Sequence, residues 1–320
     1  MEKLEKKIID REIVDNERAL VVVGIPAYNE ERTIAKVVLQ ARKLGDVVVV
    51  CDDGSSDMTA EIVEGLGAVV VRHKRNLGYG AAIQSLFKQA KKLNADVLVT
   101  LDGDGQHQAN EVNGLLRPIL DGSADIVTGS RFVGETENGN NHIPWRRRLG
   151  IKMITKLTRS ASGCDMSDAQ NGFRAYNRVA LESLLLGENG MGVSVEILLK
   201  AKERGLKLAE VPIVCNYSGI EQPSTHNSFR HGTSVVTSLV RLVVEERPLV
   251  FLGVPGVASL LIGALFGVWM LQIYAVEHRI VTNIALASIA FTMIGLFSVF
   301  TSITLYGISR VMQKKQTTNQ

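Results

Sequence analysis

VLVTLDGDGQHQ, residues 97–108, is an apolar run that stops in two carboxylates, Asp102 and Asp104, with Gln106 and His107 just behind. Residues at i and i+2 of an extended chain share a face, and Gly103 between the acids lets the backbone turn at little steric cost. Two carboxylates held this close repel each other unless a cation lies between them. A hard divalent ion such as Mg²⁺ or Mn²⁺ accepts carboxylate and amide oxygens and keeps positions for phosphate. Gln106 would supply a neutral third oxygen. A solvated acidic loop is the plain alternative, and the surrounding sequence decides between the two.

Upstream, "ALVVVGIPAYNE" (19–30), "DVVVVCDDGSSD" (46–57) and "AVVVRHKRNLGYG" (68–80) repeat the pattern of a Val-rich run ending in polar residues. Between them lie "ERTIAKVVLQARKLG" (31–45), "MTAEIVEGLG" (58–67) and "AAIQSLFKQAKKLN" (81–94), all with helical spacing. Short uninterrupted strands alternating with amphipathic helices predict a mostly parallel sheet covered on both faces. Ligands of such sheets bind beyond the carboxyl ends of the strands. Four polar clusters follow successive strands: Tyr28, Asn29 and Glu30; Asp52 and Asp53; Asn76 to Gly80; and Asp102 to Gln106. All four are expected on one edge. "NLGYGAA" reads as a glycine-rich turn opening a helix and able to approach phosphate, although Ile83 stands where a dinucleotide fingerprint has its third glycine.

The chain has 320 residues and a formal net charge of +3, so the total implies no polyanion and no nucleic-acid partner. Cys51, Cys164 and Cys215 are far apart and odd in number, which suits a reducing compartment better than a disulfide framework. The N-terminus, "MEKLEKKIIDREIVDNERAL", is too charged for a secretory signal.

Charges nearly vanish after Pro248. "LVFLGVPGVASLLIGALFGVWMLQIYAV" (249–276) and the stretch 280–309 are uncharged, and each exceeds the roughly 20 residues that span a bilayer core. Two buried core helices are the alternative. Arg241 and Arg247 precede the pair and Arg310, Lys314 and Lys315 follow it, so the positive-inside rule puts both ends in the cytosol. Residues 233–248 have the composition of an interfacial amphipathic helix, with a strand as the bland alternative. The expected division is a cytosolic domain at 1–232, that helix at 233–248, a transmembrane hairpin at 249–309 and a cytosolic tail at 310–320.

"IPAYNEERTI" (25–34), "CDDGSSDMT" (51–59), "RNLGYGAAI" (75–83), "LDGDGQH" (101–107), "GSRF" (129–132) and "SDAQNGFRAY" (167–176) stand in the order seen in inverting family 2 glycosyltransferases. Within that family the sequence resembles the dolichyl-phosphate and polyprenyl-phosphate sugar synthases, over roughly residues 20–235. The resemblance implies an α/β GT-A nucleotide-diphospho-sugar transferase fold, Rossmann-like in its sheet, followed by the transmembrane hairpin. It implies that Pro26, Tyr28, Glu30, Cys51 and Asp53 hold the nucleoside of a nucleotide-diphosphate sugar. Asp102, Gly103 and Asp104, with Gln106, would hold its diphosphate through Mg²⁺ or Mn²⁺, and Arg131 would face the reacting phosphates. UDP-GlcNAc and UDP-glucose are the favoured donors, with GDP-mannose also compatible. The product would be lipid-linked sugar for protein N-glycosylation or surface glycans.

The acceptor follows from chemistry. A sugar hydroxyl needs a general base. A phosphate monoester is already anionic near neutral pH and needs only cations to offset repulsion from the donor diphosphate. Arg131, Arg147 of "WRRR", Arg174 of "NGFR" and Arg230 of "THNSFRHGTS" are the expected cations for dolichyl or polyprenyl phosphate at the lipid bilayer. Two other readings compete. A processive polysaccharide synthase would carry QxxRW, and Trp145 is followed only by arginines. A catalytically silent membrane scaffold would have no reason to retain Asp102, Asp104 and Gln106.

Overall fold

The computed structural model describes residues 19–105, 111–133, 151, 152, 155, 158, 159, 163, 165–213 and 248–318, with side chains to residue 308 at the C-terminal end. The chain divides into two compact units, 1–236 and 237–320.

Among the described residues of the first unit, seven strands form one sheet: β1 Val21–Ala27, β2 Val47–Asp52, β3 Val69–Arg72, β4 Val97–Thr100, β5 Ile126–Ser130, β6 Arg174–Asn177 and β7 Leu208–Pro212. Their order is β3-β2-β1-β4-β6-β5-β7. β6 runs antiparallel to β4 and β5, and the other pairings are parallel. The helices are α1 Ile34–Ala41, α2 Thr59–Gly65, α3 Tyr79–Lys92, α4 Val112–Leu120, α5 Arg178–Ser183 and α6 Val193–Glu203.

β1, β2 and β4 are buried on both faces, whereas β3 and β7 at the sheet edges are half-exposed. This is why the central strands read as unbroken apolar runs. Alternation still sorts their side chains. Val21, Val23 and Ile25 pack with α1 and α4, while Val22, Val49 and Cys51 pack with α3, α5 and α6 on the other face. Where strands begin, acids serve the backbone: Asp96 accepts the N–H of Leu20 at 2.7 Å, Asp46 that of Val21 at 2.9 Å, and Asp125 that of Lys207 at 2.7 Å. The chain builds β1, β2 and β3 outward in one direction and then returns to place β4 on the other side of β1. The reversal between β1 and β4 is a topological switch point, where open α/β sheets bind ligands.

In the second unit, a π-helical turn, Leu249–Gly253, leads into α7 Val254–Glu277, and α8 spans Thr282–Thr318. His278 closes α7 in the left-handed conformation, φ 51°. Leu249–Glu277 and Thr282–Ile308 are long and apolar enough to cross a membrane. α8 continues beyond the apolar stretch into the expected tail, because "RVMQKKQ" is rich in good helix formers. Serines bond across the pair: Ser259 to the Phe291 carbonyl at 2.8 Å, Ser288 to Gly263 at 2.9 Å and Ser298 to Leu252 at 2.7 Å. A Cβ on Gly256 or Gly295 would meet backbone atoms of the other helix at 3.0 and 2.7 Å. Small-residue contacts and serine bonds of this kind join helices in lipid.

Candidate active site at the β1–β4 switch point

The loops after β1 and β2 are laced together. Asn29 takes the left-handed conformation, φ 55°, which short polar side chains tolerate. Its backbone N–H donates to Ser55 Oγ at 2.9 Å, and its side-chain carbonyl accepts from the Ser56 N–H at 2.9 Å. The Glu30 N–H donates to Thr59 Oγ1 at 2.8 Å. Pro26 is opposite Cys51 in the sheet register, and Tyr28 is 46% exposed.

The two acids of "CDDGSSD" differ in role. Asp52 is fully buried, accepts the Ser55 N–H at 3.1 Å and pairs with Arg72 at 3.1 Å. Asp53 accepts the N–H groups of Leu77 at 2.9 Å and Gly78 at 2.8 Å, and lies 2.6 Å from His73 Nδ1. It therefore holds the glycine-rich turn against β2. Cys51 has no exposed surface, and burial, reinforced by Asp53, pushes its thiol up to about 12. It stays a neutral thiol.

The "DGDG" turn is backed against the end of β1. A Cβ on Gly103 would sit 3.2 Å from the Pro26 carbonyl and 3.6 Å from Glu30 Cγ. Thr33 Oγ1 is 2.9 Å from both the Gly103 carbonyl and Glu30 Oε2. Burial raises the Glu30 carboxyl above its ordinary range; the Thr33 bond opposes this, and Asp104, Asp57 and Asp102 add to the rise. The negative charges at this edge thus converge. Asp102 Oδ1 accepts the Tyr79 hydroxyl at 3.1 Å. Gly172 lies against both groups: its missing Cβ would be 3.0 Å from that oxygen and would collide with the Tyr79 hydroxyl.

One expectation is corrected. The turn Gly78–Gly80 is not open to phosphate. A Cβ on Gly78 or Gly80 would run into the carbonyls of Asn189 and Glu188, respectively, and the Ala81 N–H donates to the Asn189 carbonyl at 3.2 Å. These glycines admit a strap of the chain's own backbone over the start of α3. The strap is pinned by buried Glu196, which accepts the N–H groups of Gly187 at 2.8 Å and Glu188 at 3.0 Å.

Arg174, expected to meet an acceptor phosphate, has its guanidinium engaged inside the fold. Only 1% exposed, it donates to the carbonyls of Asn171 at 2.8 Å, Ser194 at 2.9 Å and Ala169 at 2.9 Å. Satisfying buried carbonyls is its structural task. Arg131 forms a bidentate pair with Asp168, at 2.6 and 2.8 Å. Gln106, Arg147, Arg230 and residues 233–247 lie outside the described residues.

The structure thus brings Pro26, Glu30, Asp53, Asp102, Gly103 and Asp104 to one edge, together with Tyr79 of the expected Asn76–Gly80 cluster and with Thr33 and Gly172, which sequence reasoning did not single out. Tyr79 carried a signal, as an aromatic between two glycines. Thr33 carried none.

The mostly parallel mixed sheet with an acidic turn at its switch point has the GT-A, nucleotide-diphospho-sugar transferase type of fold. The chain belongs to glycosyl transferase family 2, whose sequence model matches residues 22–185, and it is a glycosyltransferase. It is 32% identical to a UDP-N-acetylglucosamine–dolichyl-phosphate N-acetylglucosaminyltransferase of Methanococcus voltae, over 68% of this chain and 91% of the relative. It is 32% identical to a dolichyl-phosphate hexose transferase of Haloferax volcanii, over 71% and 94%. In fold it is similar to the glucosyl-3-phosphoglycerate synthase of Mycobacterium tuberculosis solved with Mn²⁺, UDP and product, at a TM-score of 0.53 and 20% identity, over 74% of this chain and 83% of that one.

Proposed function

We propose that the protein transfers one sugar from a nucleotide-diphosphate sugar to dolichyl or another polyprenyl phosphate, with inversion, at the cytosolic face of a membrane. The observation that carries this reading is the pair Asp102 and Asp104 at the β1–β4 switch point, facing Glu30. Among the described residues no three His, Cys, Asp or Glu side chains converge as a closed metal cage. Two hard carboxylates in a shared negative field suit an Mg²⁺ or Mn²⁺ ion whose other positions go to a diphosphate. Asp102 and Asp104, with Gln106, would hold that ion. When bound, it would neutralise charge on the departing nucleoside diphosphate. Pro26, Tyr28 and Glu30 would line the nucleoside side, with Asp53 fixing the neighbouring turn.

An acceptor phosphate oxygen attacks the anomeric carbon as the bond to the diphosphate breaks on the opposite face. The acceptor arrives already anionic, so the chain needs no base, only cations. Arg131, fixed by Asp168, is the described candidate; Arg147 and Arg230 are the others. Lipid as the acceptor is supported by the relatives' names and by α7 and α8, whose outer residues Leu265, Val276 and Phe300 are 70%, 82% and 69% exposed. Apolar faces of this size need cover, and a bilayer supplies it. The cations Arg241, Arg247, Arg310, Lys314 and Lys315, which flank the apolar stretches in sequence, support a cytosolic side for both ends. UDP-GlcNAc or UDP-glucose is the favoured donor, with GDP-mannose compatible; the Methanococcus relative's name supports UDP-GlcNAc.

The test supplies full-length protein in detergent with Mn²⁺, polyprenyl phosphate and each labelled donor in turn. Label from one donor entering the organic phase, and lost with EDTA, is expected. No organic-phase label from any donor would overturn the lipid-phosphate reading.

A further inference from the structure

We propose that Tyr79 is a positioning residue of this metal site: its hydroxyl sets the orientation of the Asp102 carboxylate, and a brace from β3 through β2 sets Tyr79. The inference rests on the reading of Asp102 as a metal ligand.

The brace can be followed atom by atom. His73, just after β3, lies between Ser85 Oγ of α3 at 2.8 Å and Asp53 Oδ1 at 2.6 Å. Asp53 in turn accepts the N–H groups of Leu77 and Gly78, at 2.9 and 2.8 Å. Gly78 has φ 104°, open to glycine and strained for other residues, and this directs the next residue, Tyr79, toward the end of β4. The Tyr79 hydroxyl donates to Asp102 Oδ1 at 3.1 Å. The ends of β3 and β2 are thereby tied to a carboxylate at the end of β4.

A tyrosine hydroxyl is a neutral donor near neutral pH, and here its bond goes to Asp102 Oδ1. A phenol donates one hydrogen bond, and here that bond acts on the orientation of the Asp102 carboxylate. Gly172 completes the arrangement, since a side chain there would displace the hydroxyl. Partners that orient a ligating carboxylate commonly matter about 10–100-fold in metal affinity or activity.

Two substitutions test this on the full-length protein in detergent, with Mn²⁺ binding read by electron paramagnetic resonance in the presence of UDP. Tyr79→Phe removes only the hydroxyl, and Gly172→Ala displaces it by collision. Both are expected to weaken Mn²⁺ binding about ten-fold or more. In Tyr79→Phe the activity lost at low Mn²⁺ should return in large part at high Mn²⁺, which a purely structural role would not produce. Wild-type Mn²⁺ affinity in a folded Tyr79→Phe protein overturns the proposal. If that variant does not fold, wild-type affinity in Gly172→Ala overturns it instead. A wild-type protein that binds no Mn²⁺ would overturn the metal reading itself, and this inference with it.

Discussion

Arg131 and Asp168 meet edge to edge, Nε to Oδ2 at 2.6 Å and Nη2 to Oδ1 at 2.8 Å, with both side chains nearly sequestered from solvent. The pair joins the end of β5 to the segment that leads to Gly172, and Glu210 of β7 secures the same segment through the N–H groups of Ser167 and Asp168, at 2.8 and 3.0 Å. Breaking a buried pair from one side leaves an uncompensated charge, at about 3–5 kcal/mol. Asp168→Asn should therefore lower the unfolding free energy read from denaturant titration by that scale, and transfer should fall with it. A loss below about 1 kcal/mol would contradict the pairing.

Gly80→Ala should destabilise the protein, because its Cβ is aimed at the backbone carbonyl of Glu188 rather than at a flexible side chain. Overpacking of this kind costs about 1–3 kcal/mol, read in thermal or denaturant unfolding without nucleotide. Unchanged stability combined with weakened nucleotide binding would mean that the turn faces phosphate after all.

The sheet and its binding edge were legible because a Val run leaves few options and because polar clusters followed four successive strands. What was not legible was how the polar residues divide their work. Asp52, Asp53 and Asp102 look alike in sequence, yet one pairs with Arg72, one anchors a turn and one ends β4 at the switch point. Gly78 and Gly80 announce a close approach without naming what approaches, and the strap arrives from more than a hundred residues away. Arg174 is charged and was expected to meet a ligand, but three carbonyls reach it first. Residues 167–210 are where tertiary contacts, invisible to local pattern, decide each role.

Glu30 should make stability depend on pH. Its folded-state carboxyl is raised by burial and by Asp104, Asp57 and Asp102 above the ordinary value of 4.5. Below that value both states are protonated and the protein has the full benefit; as pH rises through the raised value, folding must keep a disfavoured charge. Glu30→Gln should thus raise the unfolding temperature of the metal-free protein at pH 7, and the gain should vanish toward pH 4. A constant gain across that range would contradict the electrostatic origin.

The central claim is that β4 delivers carboxylates to a metal on a sugar diphosphate, and Asp104→Ala tests it most directly. Label transfer from nucleotide sugar to polyprenyl phosphate, measured at saturating Mn²⁺ on a variant with wild-type unfolding temperature, should fall at least about a hundred-fold, the scale of a few kcal/mol of lost charge stabilisation. Turnover within a few-fold of wild type would contradict the account.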